Sequence, residues 1–267
     1  MASSRIFGFA VALAILSTGA AARAGESWLS GDWYLTVGAA GISAPRYEGA
    51  NAYLFAVEPL VSFGRAGPEA RFSSRNDNIS IGFVDTGAFR AGAVGRIVFP
   101  RDEDTSPDLA GLDPVRWGGE IGGFAEVYPT DWLRLRGELR HGIRAHDGIV
   151  GDVAVDAFAD VAPTVRISGG PRLSFATADY FDAFYGVNAT EAAASGLSIY
   201  EPGSGLRSVG AGGAVTWKAT DKVTASLFGE YSRLMGPAAA SSLVRERGSR
   251  DQLMFGLSTT YRFDFSL

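Results

Sequence analysis

The sequence has no cysteine, which excludes a disulfide framework and any thiolate metal site. It has only two histidines, His141 and His146, and no serine with an acidic partner beside either, so a nucleophile–base pair has little to be built from. Positive charge is scarce: 24 Lys and Arg against 29 Asp and Glu leave a net charge of -5, and no basic run interrupts it. That balance argues against a nucleic-acid partner. Beyond the N-terminal segment there is no uncharged apolar stretch long enough for a spanning helix.

What is present is glycine, 35 residues of it, together with 12% aromatics and only 20% charged residues. The mean hydropathy of +0.08 is far below that of a helical membrane protein. Alternating strands with one lipid-facing and one polar face produce this mixture.

Residues 1–24 read as a signal peptide. Arg5 supplies the positive start, Ile6 to Leu16 the apolar stretch, and Ala22-Arg23-Ala24 the small-residue cleavage site. Residues 25–267 are then the mature domain.

Within that domain the hydrophobic period is two. Phe255, Leu257, Thr259, Tyr261, Phe263, Phe265 and Leu267 take odd positions, while Gly256, Ser258, Thr260, Arg262, Asp264 and Ser266 take the even ones. The same parity runs through Trp33-Leu35-Val37, Tyr53 to Phe63, Ile79-Ile81-Phe83, Phe89 to Phe99, Trp117 to Val127, Val165 to Phe175 and the pair Val209 to Trp217 and Val223 to Tyr231. Sandwich strands average about 5–6 residues, shorter than the last of these. The predicted fold is all-β: a transmembrane antiparallel up-and-down β-barrel of about 12 strands, within a range of about 10–12.

An even strand count places both termini on the periplasmic side. Gly64–Pro68, Asp85–Gly87, Pro129–Asp131, Ala162–Thr164 and Ala219–Asp221 are then short periplasmic turns. Gly41–Ala52, Pro100–Pro114, Ala178–Leu206 and Leu234–Gln252 are longer, extracellular loops, and the outer connections near Asn76 and Gly148 are short.

Charge concentrates in one hairpin. Arg134, Arg136, Glu138, Arg140 and Arg144 share the even face of one strand, and Asp152, Asp156 and Asp160 that of the next. A hairpin centred on Gly148 sets Arg144 opposite Asp152, Arg140 opposite Asp156 and Arg136 opposite Asp160. Facing lipid at mid-depth, such charges would cost roughly 2–4 kcal/mol each for arginine, so the ladder is expected to face the lumen. It reads either as an electrostatic ladder that stiffens the wall or as a charged constriction that selects solutes. Arg134 has no partner in that register and is the expected selectivity residue. His141 falls on the lipid side and His146 in an outer connection. Asp102, Glu103, Asp104 and Asp108 read as a solvated acidic loop, without the glycine and glutamate of an EF-hand. No catalytic residue, metal site or cofactor is expected.

Several stretches resemble the MltA-interacting protein family, also called the MipA/OmpV family of outer-membrane proteins. They are Pro45-Arg46-Tyr47-Glu48-Gly49, and Gly170-Pro171-Arg172-Leu173-Ser174 followed by Phe184-Tyr185-Gly186-Val187. Asp179-Tyr180-Phe181, Ser195-Gly196-Leu197 with Tyr200 and Gly205-Leu206, Tyr231-Ser232-Arg233-Leu234 and Tyr261-Arg262-Phe263 complete the set. The chain departs from the family in continuing through Asp264-Phe265-Ser266-Leu267. The resemblance implies a non-enzymatic outer-membrane protein in contact with lipid and lipopolysaccharide. It further implies a scaffold for a lytic transglycosylase and a penicillin-binding protein, with solute passage, osmotic response or adhesion through the outer loops as alternatives.

Overall fold

A computed structural model of the chain describes residues 31–65, 72–74 and 77–266. The signal peptide predicted over residues 1–24 lies outside them. Eleven strands are described: β1 Asp32–Pro45, β2 Tyr53–Arg65, β3 Ile79–Asp85, β4 Phe89–Val98, β5 Gly118–Thr130, β6 Leu133–Ile143, β7 Ile149–Ala162, β8 Val165–Ala176, β9 Gly205–Lys218, β10 Val223–Leu234 and β11 Asp251–Ser266. They form one antiparallel sheet in the order β2-β1-β11-β10-β9-β8-β7-β6-β5-β4-β3. The first and last strands are therefore neighbours, Trp33 opposite Phe265 and Ser43 opposite Phe255.

Parity organises the sheet. Phe55, Ile81, Phe83, Phe99, Leu139, Ile143, Val161, Trp217, Leu227 and Leu257, all odd, are exposed large apolar residues. Glu120, Glu126, Arg134, Arg136, Glu138, Arg140 and Asp156, all even, are buried. A bulge between Gly82 and Val84 exposes Val84 despite its even number. Exposed aromatics gather near both ends of the strands, with Tyr53, Phe99, Trp117, Phe175 and Tyr231 at one end and Phe83, Phe89, Trp132, Trp217 and Phe265 at the other.

Inner-face glycines let the strands pack this closely. A Cβ on Gly122 would lie 1.9 Å from the Leu139 carbonyl oxygen, and one on Gly170 2.0 Å from that of Val155. The next residue, Pro171, has no N–H to give, and the β7–β8 pairing is interrupted between Ala154–Arg172 and Ala157–Gly169. The Val155 carbonyl accepts instead from Arg172 Nη1 at 3.1 Å.

Two expectations are corrected. β1 continues to Pro45, so the first loop is residues 46–52 only; Gly38 to Gly41 hide the alternation yet pair on both sides. The short outer connection expected near Asn76 requires a strand between Pro68 and Asn76, which would be the twelfth. Residues 72–74 and 77–78 are not strand; they lie against the inner face of β5 to β8. Phe72 stacks on Phe158 with ring centroids 4.4 Å apart, and its carbonyl accepts from Tyr128 at 3.4 Å. Asp77 and Asn78 bond to Arg134 and Glu138 of β6. Among the described residues β2 and β3 are thus the two ends of the sheet, and they run in the same direction.

The long connections fold together at the opposite end from the termini. They carry α1 Ala178–Tyr185, α2 Ala189–Ser195, α3 Gly236–Ala240, a 3-10 turn at Pro107–Leu109 and a π-helical turn at Leu243–Arg247. One core joins Tyr47 and Ala50, Leu109, Val187 and Leu197, and Leu243, drawn from four different connections. A second joins Tyr180, Phe181 and Tyr185 to Val150, Ala176, Leu234, Ala238 and Val244. Loops from distant parts of the sheet can share these cores only because the sheet curls. No helix among the described residues is long and apolar enough to cross a membrane.

Candidate functional site

The inner face of β5 to β9 carries a continuous network of charge-assisted hydrogen bonds. Its register differs from the sequence expectation. The β6–β7 hairpin sets Arg134 opposite Asp156, Arg136 opposite Ala154, Glu138 opposite Asp152 and Arg140 opposite Val150. It is centred on Ala145, because His146 does not lie out in solvent but folds back onto the strand. A Cβ on Gly142 would meet the His146 ring at 2.3 Å. His146 Nδ1 accepts from the Gly148 N–H at 3.2 Å, so Nε2 carries the proton toward Glu120 at 3.3 Å. Its ring stands edge-on to Tyr180 at 5.0 Å.

Arg134, expected to be unpaired, is 0% exposed and the most heavily bonded of the set. Nε and Nη2 donate to Asp156 at 3.1 and 2.5 Å, and Nη1 and Nη2 to Asp77 at 2.6 and 2.8 Å. Phe72 covers its face at 4.9 Å. Arg136 donates to Glu126 and, at 2.7 Å, to Glu138, beneath the Phe124 ring at 4.3 Å. Arg140 bonds Glu120 at 2.7 Å and also Glu138 and Asp152. Arg207 of β9 extends the chain outward to Ser174 at 2.8 Å, Tyr180 at 2.9 Å and Glu48 at 3.4 Å.

Two predicted members stand apart. Arg144 is exposed in the hairpin loop, with φ 70° and its guanidinium 5.7 Å from the Trp117 ring, so it does not face Asp152. Asp160 is exposed near the strand terminus and takes Arg166 in a fork at 2.7 and 2.9 Å rather than Arg136. His141 is exposed on the odd face, with Nδ1 2.7 Å from the Gly142 carbonyl.

Asp77, Glu120, Glu126, Arg172 and Arg207 were missed as members. Glu120 and Glu126 share the even parity of their strand and were within reach of the periodicity. Arg172 and Arg207 are even too, but each lies in a strand with no run of charge. Asp77 follows no strand period at all. Between these groups lies a chamber of about 320 Å³, lined among others by Arg96, Glu138, Asp152, Arg172, Arg207 and Glu230. The wall on the other side is apolar, with Ala40, Ile42 and Phe228 packed together. No metal-binding group of His, Asp and Glu occurs among the described residues.

The stretches that resemble a family fall into three places. Pro45 ends β1, and Gly170 and Pro171 make the interruption in β8 described above. Tyr47, Gly49, Tyr185, Gly186 and Val187 meet in the loop cap. Gly49 has φ 103°, and a Cβ there would lie 2.8 Å from Val244 and 3.8 Å from the Tyr185 ring. Val187 bridges Tyr200, and Gly186 closes α1 by donating to the Phe181 and Asp182 carbonyls. Tyr261 and Phe263 lie on the odd face of β11, their centroids 4.6 Å apart.

In the cap, Arg101 is buried with its guanidinium over the Tyr47 ring at 5.6 Å and the Phe184 ring at 5.3 Å. Burial lowers its pKa from the usual arginine value. Burial raises the Tyr47 hydroxyl to about 12, with Asp108 adding to the effect. It raises Tyr180 to about 12 as well, against the pull of Arg207.

Solved structures similar to the chain are remote. A bacterial polysaccharide outer membrane secretin is 9% identical, with a TM-score of 0.44 over 89% of this chain and 100% of that one. OprB of Pseudomonas putida is 14% identical, with a TM-score of 0.38 over 69% of this chain and 47% of that one. A FadL homologue of Pseudomonas aeruginosa is 11% identical, with a TM-score of 0.36 over 87% and 90%. None of these similarities is close enough to bear on the role of the chain or its strand count. No curated protein matches it. The family model described as MltA-interacting protein MipA matches residues 37–263, from the middle of β1 to the Tyr261–Phe263 pair of β11, and the chain therefore belongs to the MipA family.

Proposed function

We propose that the chain is a non-enzymatic outer-membrane β-barrel. On this reading the curled sheet closes across β2 and β3, and the protein serves as a scaffold for murein-synthesising and murein-hydrolysing enzymes. The apolar odd face with aromatics near both strand ends supports a membrane setting, since lipid-facing strands carry such a belt and girdles. The outer cap then meets lipopolysaccharide, and the turns 86–88, 131–132, 163–164 and 219–222 face the periplasm. The family description, interaction with MltA, supports a lytic transglycosylase as one partner.

The observation that carries the structural role is the pairing of charge along the inner wall. Arg134, Arg136 and Arg140 are each bonded to at least two carboxylates, and residues 72–74 and 77–78 occupy the space beside them. Charges so paired present little net field to a passing ion and hold the wall rigid. The periplasmic turns are short, so the contact is small, at the low end for transient interfaces.

Purified folded protein is therefore expected to bind a purified lytic transglycosylase directly, and to lose binding when the 131–132 and 219–222 turns are replaced. It is also expected to give no single-channel steps in planar bilayers. Clear steps without enzyme binding would reverse the assignment. A narrow small-solute channel is the second reading, favoured by the chamber of about 320 Å³ and its mixed charge.

A further inference from the structure

We propose that the loop cap contains a binding site for a single halide-sized anion, formed by Arg101, Tyr47 and Tyr185. The site is independent of the scaffold assignment.

Arg101 is 9% exposed, Tyr47 6% and Tyr185 1%. Each holds a buried polar atom with no hydrogen-bond partner: Arg101 Nη1, the Tyr47 hydroxyl and the Tyr185 hydroxyl. They come from three separate connections, yet share one neighbourhood. The Arg101 guanidinium lies over the Tyr47 ring and donates through Nη2 to the carbonyl of Phe184, the residue before Tyr185. Gly49, two residues beyond Tyr47, sits against the Tyr185 ring.

The charge balance points to an anion. Among the described residues Arg101 makes no ion pair, unlike the buried arginines of the inner wall. Glu48 is within electrostatic reach of Arg101 and Tyr185, but its hydrogen bonds go to Tyr180 and Arg207. Asp108 lies toward Tyr47 but caps its own turn with Ser106, and Arg247 approaches from the other side to bond the Asp108 carbonyl. A buried guanidinium without a direct carboxylate partner is costly, and a bound anion supplies the acceptor that Nη1 lacks. Each of the two hydroxyls has a proton to donate.

The chemistry also sets the size. Aromatic rings cover the guanidinium, so a polyoxyanion such as phosphate would bring oxygens for which no donor is present. A monatomic anion, chloride in practice, asks only for the three donors available. Its effect is to tie the 46–52, 99–117 and 177–204 connections together.

The test uses folded, full-length mature protein in sodium bromide, with the bromide located by its anomalous scattering. A bromide peak within hydrogen-bond reach of Arg101 Nη1 is the expected result. Water there with no anomalous peak, or bromide found only elsewhere on the surface, overturns the proposal. In solution, bromide is expected to raise the unfolding temperature of the cap saturably over sodium gluconate at equal ionic strength. Tyr185→Phe, which keeps the ring and the packing, should weaken the apparent bromide affinity about tenfold. Arg101→Met should abolish the bromide response; if that variant does not fold, the Tyr185→Phe titration decides, and an unchanged affinity there counts against the site.

Discussion

At the scale of single residues, the inner wall depends on Arg134. It holds Asp156 and Asp77 through four hydrogen bonds and has no exposure. Removing one partner of a buried ion pair strands the others, which typically costs about 3–5 kcal/mol. Arg134→Met is therefore expected to lower the unfolding free energy of the sheet by that order, read as an earlier denaturant midpoint. Arg134→Lys keeps the charge but cannot fork between two carboxylates, so it should fall between the two. Tyr47 and Tyr180 give a second expectation. Their folded pKa values of about 12 exceed the ordinary tyrosine value of 10.0. Stability from keeping them neutral is fully present below pH 10 and is lost as pH rises toward 12. Tyrosinate absorbance from the cap should accordingly appear late, and unfolding of the cap should accompany it. Arg134, Arg136, Glu138, Arg140 and Asp156 were legible as inner-face residues because parity alone decides the face. Their partners were not legible. The hairpin centre is set by His146 folding onto Gly142, a contact with no signature in spacing.

At the scale of elements, β4 to β11 follow the period-two pattern closely, and their edges were readable from turn residues. β1 was readable only to Val37, since small residues at 38–41 carry no hydrophobic contrast. Of the stretch before β3, the described residues 72–74 and 77–78 are not strand, so the twelfth strand of the expectation stands without support. The side chains of Ser74, Asp77 and Asn78 are drawn instead to Arg172, Arg134 and Glu138. Asp77 is the hold-fast of this stretch. Asp77→Ala should free two donors of Arg134 and loosen the segment, and single-channel steps absent from wild type are the expected readout in planar bilayers. If the variant stays silent, the segment is not what fills the bore. In the cap, Gly49→Ala meets both a left-handed φ and a Val244 methyl at 2.8 Å. A loss of about 1–3 kcal/mol is expected, read as earlier protease cleavage of the loops with the strands still paired.

At the scale of the whole molecule, the cap ties together parts of the chain that are far apart in sequence. The Gly49 N–H donates to the Gln252 side chain at 3.0 Å, and Asn51 donates to the Arg247 carbonyl at 3.1 Å. Neither contact can form until the last strand has found the first. Contacts of such long separation form late, because the intervening loop must be closed before they return anything. The cap is in that sense a clock for the sheet: β4 to β10 can pair by local hairpins while Tyr47 and Arg101 are still wet. In a refolding time course, protection of the 46–52 loop from protease should lag the gain of strand signal. A truncation that removes β11 should leave that loop cleavable indefinitely.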